Sequence, residues 1–170
     1  MMTIVAHEMP RAGVAADFTA FFQAGYERLF QTLFLMCGNK DDAEDLAQEA
    51  MARAFERWDR VQAAETPMGY VFQIAFNLYR SRLRRIRRAL TRGGPAPAAA
   101  ETNVGQIRVE VLEALSSLPR SQREALLLVE WLGFTAEEAG RILGIEASSV
   151  RGRIHRARTA LRERLGGIDA

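Results

Sequence analysis

Between Ser148 and Arg158 the chain reads SSVRGRIHRAR, where hydroxyls, an imidazole and guanidinium groups alternate with apolar residues. Hydroxyl and imidazole groups hydrogen-bond to base edges and guanidinium groups meet phosphates, so the mixture suits the reading of a DNA duplex. On a helix stepping about 100° per residue, Val150, Ile154, Ala157 and Leu161 share one stripe that must face a core. Ser148, Gly152, His155 and Thr159 lie opposite, with Ser149 and Arg156 beside them and Arg151, Arg153 and Arg158 on the shoulders. The preceding EEAGRILGIE completes a helix-turn-helix. Ala139 and Gly140 permit close helix approach, Gly144 permits a left-handed turn, and Ile145 can fill the space beneath it. Gly152 costs about 1 kcal/mol against Ala in mid-helix, which a nearby DNA backbone would explain. The plainer alternative is an Arg-rich solvated helix.

A second candidate lies in LYRSRLRRIRRALTR, where Arg80, Arg82, Arg84, Arg85, Arg87, Arg88 and Arg92 stand without an acid. Upstream, Val71, Ile74 and Leu78 form one apolar face, expected in the core. Phe72, Phe76 and Tyr79 form another, close to Gln73 and Asn77. Aromatic rings beside a cationic strip suit single-stranded DNA, with rings stacking on bases and Arg holding phosphate. Packing of Phe72 and Phe76 against the first helix or a partner protein is the alternative.

The third cluster, DDAEDLAQEA, carries Asp41, Asp42, Glu44, Asp45 and Glu49. Like charges repel there, so it cannot sit on DNA. It is a poor metal site, because its carboxylates mostly occupy one helix and no His joins them. It reads either as a solvated helix start matched to the dipole or as a docking face for a basic partner. No catalytic constellation accompanies these clusters: nucleophile motifs, phosphate loops and zinc spacings are missing. His7 lies in the N-terminal tail and His155 on the groove face. The expectation is a non-enzyme without cofactor or metal, with a magnesium-dependent nuclease or ligase built on Asp41–Asp45 as a distant rival.

Helices must position these groups. The chain has 170 residues, 48% hydrophobic, and no strand patterning. Twenty-three Lys and Arg face 21 Asp and Glu, a net charge of only +2, although the pI is about 9.1. DNA-binding charge must therefore be local, with basic ends balanced by the acidic segment. Cys37 is the lone cysteine, expected as a buried small hydrophobe rather than a redox centre. No secretory signal and no apolar run of roughly 20 residues is present, so a cytoplasmic protein without a membrane segment is expected.

Periodicity predicts an all-α fold of two small helical domains. Three helices, over about 16–37, 41–58 and Pro67–Arg88, make an N-terminal domain, with Asp59–Thr66 as a polar connection. Thr91–Gly105, rich in Gly, Pro and Ala, reads as a flexible linker. Four helices make the C-terminal domain. The first runs over Val104–Ser116 with Ile107, Val111, Leu112 and Leu115 buried; a second follows Pro119; the helix-turn-helix supplies the last pair. Residues 1–15 read as a loose tail.

The order of these parts resembles an extracytoplasmic-function (group IV) sigma factor of bacterial RNA polymerase, over Phe18–Leu165. DAEDLAQEAMARAFERWDRV is similar to the helix that in relatives docks on the β′ clamp helices, PMGYVFQIAFNLYRSRLRR to the helix holding the −10 element, and LSSLPRSQREALLLVEWLGFTAEEAGRILGIEASSVRGRIHRARTALRERL to the domain reading the −35 element. Gly69-Tyr70 departs from a pair that in relatives often ends in Trp. The resemblance implies a region 2-like domain over 16–90, a linker over 91–105 and a region 4-like domain over 106–170. Asp45, Leu46, Gln48 and Glu49 would face polymerase. The segment Asp59–Thr66 with Asn77, Arg80, Arg84, Arg85, Phe72 and Phe76 would meet the −10 strand. Ser148, Ser149, Arg151, Gly152, Arg153, His155, Arg156 and Arg158 would meet the −35 duplex. It further implies core RNA polymerase, promoter DNA and an anti-sigma factor as partners of a chain monomeric when free. The rival is a dimeric helix-turn-helix regulator.

Overall fold

The computed structural model describes residues 12–95 and 109–166, with side chains from Asp17 onward. The expectations for residues 1–11, for most of the linker and for Ile107 lie outside them. The described residues form helices α1 (Ala12–Cys37), α2 (Lys40–Glu56), α3 (Trp58–Ala63), α4 (Pro67–Thr91), α5 (Val109–Ser116), α6 (Arg120–Leu126), α7 (Ala136–Leu143) and α8 (Ala147–Gly166). One π-helical turn, Leu127–Trp131, extends α6. No strand occurs among the described residues. The α1 helix already begins at Ala12, inside the stretch expected as tail.

In the N-terminal domain α1, α2 and α4 pack side by side. Leu29, Leu33, Phe34 and Met36 from α1 meet the small residues Ala43, Ala47, Ala50 and Ala54 of α2, all fully buried. Alanines let the helices approach closely, while each buried Leu or Phe contributes about 1.5–3 kcal/mol. Gly38, at φ 69°, ends α1, and Asn39 caps α2 by accepting from the Asp42 amide at 3.1 Å. A cap of this type is worth about 1 kcal/mol.

Trp58 is not the end of α2 but the start of α3. Its ring meets Phe18 edge-on at 5.3 Å and Phe21 at 5.1 Å, and this burial redirects the chain. The connection expected over Asp59–Thr66 is therefore mostly helix, with Asp59, Arg60 and Gln62 exposed.

In the C-terminal domain, Leu112, Leu115, Leu128, Ile142 and Leu143 enclose the buried stripe of α8: Val150, Ile154 and Ala157. Leu161 packs on the same core, partly buried. Val111, expected on the buried face of α5, is exposed instead. Its neighbours at the i and i+3 spacing, Leu112 and Leu115, turn inward and carry Val111 to the solvent side.

The turn of the helix pair is closely built. Thr135 and Glu138 form a reciprocal capping box at the start of α7, at 2.8 and 3.1 Å. Gly144 ends α7 in the left-handed region at φ 69°, and the Ile145 amide donates back to the Gly140 carbonyl at 2.9 Å. A Cβ on Gly140 would stand 2.6 Å from the Ile145 carbonyl oxygen. That neighbour is backbone, which cannot swing aside.

Cys37 is half-buried, and loss of hydration pushes its thiol up to about 11, against a weaker opposing hydrogen bond with the Asn39 backbone. The thiolate, the reactive form, is then scarce at neutral pH.

These packings give three expected outcomes. Gly140→Ala should cost about 1–3 kcal/mol in thermal or denaturant unfolding. Gly152→Ala should stabilise by up to about 1 kcal/mol, since its Cβ would meet only the flexible Arg156 guanidinium, at 3.5 Å. Alkylation of Cys37 by iodoacetamide at pH 8 should be about a hundredfold slower in the native chain than in urea, and should accelerate toward pH 11.

Candidate nucleic-acid interface

On α8 the expected division of faces is observed. Val150, Ile154 and Ala157 are buried, while Ser148, Ser149, Arg151, His155, Arg156 and Arg158 are exposed; Gly152 and Arg153 are half-exposed. Arg151 pairs with Glu137 at 3.1 Å. The Glu137 carboxyl is held below its usual range, first by its own backbone amide in the opening turn of α7 and then by Arg151. Arg158 pairs with Glu130 in the π turn. Both pairs are exposed, so each is worth less than about 1 kcal/mol and either arginine can exchange its carboxylate for a phosphate. Nothing within the fold demands glycine at 152, where a Cβ would meet ordinary contact distances. The outer face of α8 is thus small and polar at its centre and cationic at its edges.

The cationic strip of α4 divides into two parts. Arg84, Arg85, Arg87, Arg88 and Arg92 are exposed. Arg82 instead turns to the acidic segment, reaching Asp42 at 2.8 Å and Asp45 at 3.6 Å. Arg80 turns to the C-terminal domain and grips Glu124 with two nitrogens, Nε at 3.1 Å and Nη2 at 2.9 Å. Asn77 is exposed, with its Oδ1 3.5 Å from Arg80 Nη1.

Phe72 and Phe76 correct the expectation of stacking rings: they are 2% and 0% exposed. Val71, Ile74 and Leu78 are buried as well, so α4 is covered on both apolar faces. One face meets α1 and α2. The other is covered in part by the C-terminal domain, whose Phe134 meets Phe72 edge-on with ring centres 6.0 Å apart.

The acidic segment is likewise split. Asp45, Gln48 and Glu49 are exposed on α2, whereas Leu46 is 2% exposed and belongs to the core, so it cannot face a partner. Glu49 pairs with Arg53 at 2.7 Å. Gln48 hydrogen-bonds Tyr26, whose phenol is raised chiefly by burial. Among the described residues no group of three or more His, Cys, Asp or Glu is arranged to hold a metal ion, and no helix is long and apolar enough to cross a membrane.

Sequence reasoning missed the groups joining the domains. Glu124 is 1% exposed and also accepts from Arg120 at 3.0 Å. Its position three and four residues before Leu127 and Leu128, on an apolar stripe, was the available signal. Arg123 donates to the Met36 carbonyl at the end of α1 and to Leu118 at 3.1 Å near the end of α5. A cation there serves carbonyls at two helix C-termini, and the buried Tyr79 hydroxyl also donates to that of Met36, at 3.2 Å. Arg28 donates to the Trp131 carbonyl at 2.7 Å and lies 5.8 Å from the centre of its ring.

Residues 21–89 match the Sigma-70 region 2 family and residues 108–161 the Sigma-70, region 4 family. The ECF RNA polymerase sigma factor EcfG of Rhodopseudomonas palustris (strain TIE-1) is 36% identical over 131 residues, covering 74% of this chain and 72% of that protein. The RNA polymerase sigma-E factor of Streptomyces coelicolor is 26% identical over 160 residues, covering 92% and 90%. Among solved structures, the sigma factor RpoE in complex with the anti-sigma factor NepR from Bartonella quintana superposes with a TM-score of 0.77 at 26% identity, covering 88% of this chain and 97% of that one. These relatives do not favour a dimeric regulator. With the region 2 match on α1–α4, the region 4 match on α5–α8, and a relative 36% identical over 74% of this chain, the chain belongs to the extracytoplasmic-function sigma factors of RNA polymerase.

Proposed function

We propose that this sigma factor docks on core RNA polymerase through the exposed acidic face of α2, at Asp45, Gln48 and Glu49. It meets the −10 strand through α3, the turn before α4, and the exposed Asn77, Arg84 and Arg85, and it reads the −35 duplex through the outer face of α8. The observation that carries this reading is the sorting of charge: two cationic surfaces, on α4 and α8, are exposed on one chain whose α2 exposes carboxylates. Anionic DNA is attracted to the first two and repelled by the third. Bond making belongs to the polymerase, and the sigma factor supplies positioning.

On α8, Ser148, Ser149 and His155 are suited to base edges, and Arg151, Arg153, Arg156 and Arg158 to phosphates. Gly152 lets the sugar-phosphate backbone come close. Arg84 and Arg85 hold the −10 strand by charge. Polymerase fixes the spacing of the two domains, so two weak DNA contacts act at high effective concentration. The chain works in the bacterial cytoplasm and is a monomer when free. Because its relative RpoE is held by an anti-sigma factor in its solved structure, a protein of that class is the expected regulatory partner here.

Replacing Asp45 and Glu49 with Lys should abolish capture of core polymerase in a pull-down while helical circular dichroism stays unchanged; undiminished capture would remove the docking assignment. Run-off transcription with core polymerase on a promoter library should require this chain. It should fall at least about tenfold for Arg84→Ala with Arg85→Ala, since each lost phosphate contact weakens strand binding. Gly152→Ala, stabilising for the fold, should nonetheless weaken −35 duplex recognition in the same assay.

A further inference from the structure

Between α2 and α4 lies an open groove of about 430 Å³, lined by Glu49, Arg53, Asn77, Leu78, Ser81 and Arg85. Asn77 and Arg85 are already placed against the −10 strand, whereas Arg53 and Ser81 have no role so far. Helix periodicity builds the two walls. Asn77, Ser81 and Arg85 stand at i, i+4 and i+8 and form one row on α4, and Glu49 and Arg53 stand at i and i+4 on α2. The nearly buried Leu78 adds an apolar lining. Along α4 the row passes from amide to hydroxyl to guanidinium over two turns, about 12 Å. Such a set suits a nucleotide: an amide pairs with a base edge, a hydroxyl with sugar or phosphate oxygens, and guanidinium groups with phosphate. The volume falls in the range of roughly 300–1,000 Å³ that holds a single small ligand.

We infer that this groove seats one nucleotide of the −10 strand, with Arg53 and Arg85 holding its phosphate from the two walls and Ser81 and Asn77 meeting sugar and base. The inference rests on the assignment of the exposed α4 face to that strand. Its groups are free to act. Among the described residues no ion pair or side-chain hydrogen bond engages Ser81 or Arg85. Arg53 is held by Glu49 at 2.7 Å, in a pair whose members are 45% and 46% exposed. An exposed pair of this kind is weak, so Arg53 exchanges a carboxylate for a phosphate at little cost. A free nucleotide offers the same chemistry, but the groove is continuous with exposed Arg84 beside Arg85, which favours a strand that runs on along α4. Glu49 alone opposes an anion here. It also belongs to the face proposed for polymerase, and a basic partner that takes this carboxylate leaves Arg53 to the phosphate.

The test uses the full chain assembled with core polymerase. The probe is a fluorescein-labelled single-stranded DNA of random sequence, about 15 nucleotides long, titrated over a series of salt concentrations. Arg53→Ala should weaken strand binding about fivefold and make the slope of log affinity against log salt shallower by about 0.7, the signature of one lost phosphate contact on a single strand. Arg53→Lys should restore the slope, because it keeps the charge. Ser81→Asp, which sets a carboxylate in the groove, should weaken binding at least as much as Arg53→Ala. A merely structural role for Arg53 would leave the slope unmoved, and circular dichroism checks that each variant folds. If Arg84→Ala with Arg85→Ala weakens the strand while Arg53→Ala changes neither affinity nor slope, the groove assignment is overturned and the −10 assignment stands. Displacement of the strand by millimolar free 5′-dAMP gives the groove to a free nucleotide and likewise overturns the inference. Loss of effect in all the variants, the double alanine included, overturns it together with the assignment beneath it.

Discussion

A carboxylate withdrawn from water must be given partners, and Glu124 is withdrawn almost completely. Unpaired burial of such a charge costs several kcal/mol. The C-terminal domain provides Arg120 from the same helix, and the N-terminal domain provides the two-toothed grip of Arg80. A pair of this kind adds little net stability over an apolar contact, but it tolerates few orientations, because both oxygens must meet the guanidinium edge. It thereby sets how α6 lies against α4. Once that is set, Phe134 falls on Phe72, α7 falls on the turn before α4, and α8 is left with its polar face outward. Arg123 supports the same arrangement by serving the carbonyl ends of α1 and α5.

Charge sorting explains how a nearly neutral chain carries DNA-binding surfaces. The arginines of α4 do not act as one strip. Arg80 and Arg82 turn inward to Glu124 and to Asp42 and Asp45, whereas the run from Arg84 onward is exposed. Arg82 also moderates the acidic segment, leaving Asp45 and Glu49 exposed without massing five carboxylates together. Attraction and repulsion at these surfaces act over about 10 Å at ordinary ionic strength, so patches on different helices keep separate characters even though the total nearly cancels.

The helix-turn-helix owes its shape to a few short-range demands. A capping box starts α7, a left-handed glycine ends it, and Gly140 makes room for the Ile145 carbonyl. Each acts within six residues, so the unit is locally specified and stands as a rigid support for α8. The α8 helix needs only its buried stripe to be oriented, and its remaining faces are free to meet a ligand. The likeness to RpoE, at a TM-score of 0.77, covers this unit together with the region 2 helices.

Whatever depends on neighbours along one helix was legible in the amino-acid order. Val150, Ile154 and Ala157 turn inward because residues three and four apart share a face, and Ser148, His155 and Arg156 are exposed for the same reason. Region order, the turn at Gly144 and the exposure of Asp45 and Glu49 follow from equally local rules. What depends on a second surface was not legible. Phe72 and Phe76 sit on the side of α4 opposite its evident core stripe, and only α1, α2 and the other domain decide that this side is covered too. Leu46 and Val111 exchange their expected exposures through the neighbours they meet, and Trp58 begins a helix because Phe18 and Phe21 wait for its ring. Arg80 and Arg82 look alike in sequence to any solvated charge, and the apolar stripe that marks Glu124 for burial does not name its partner. Their pairing joins residues 44 and 40 positions apart, and no periodicity along one helix encodes a contact of that range; only the folded chain brings those charges together and shields them from water.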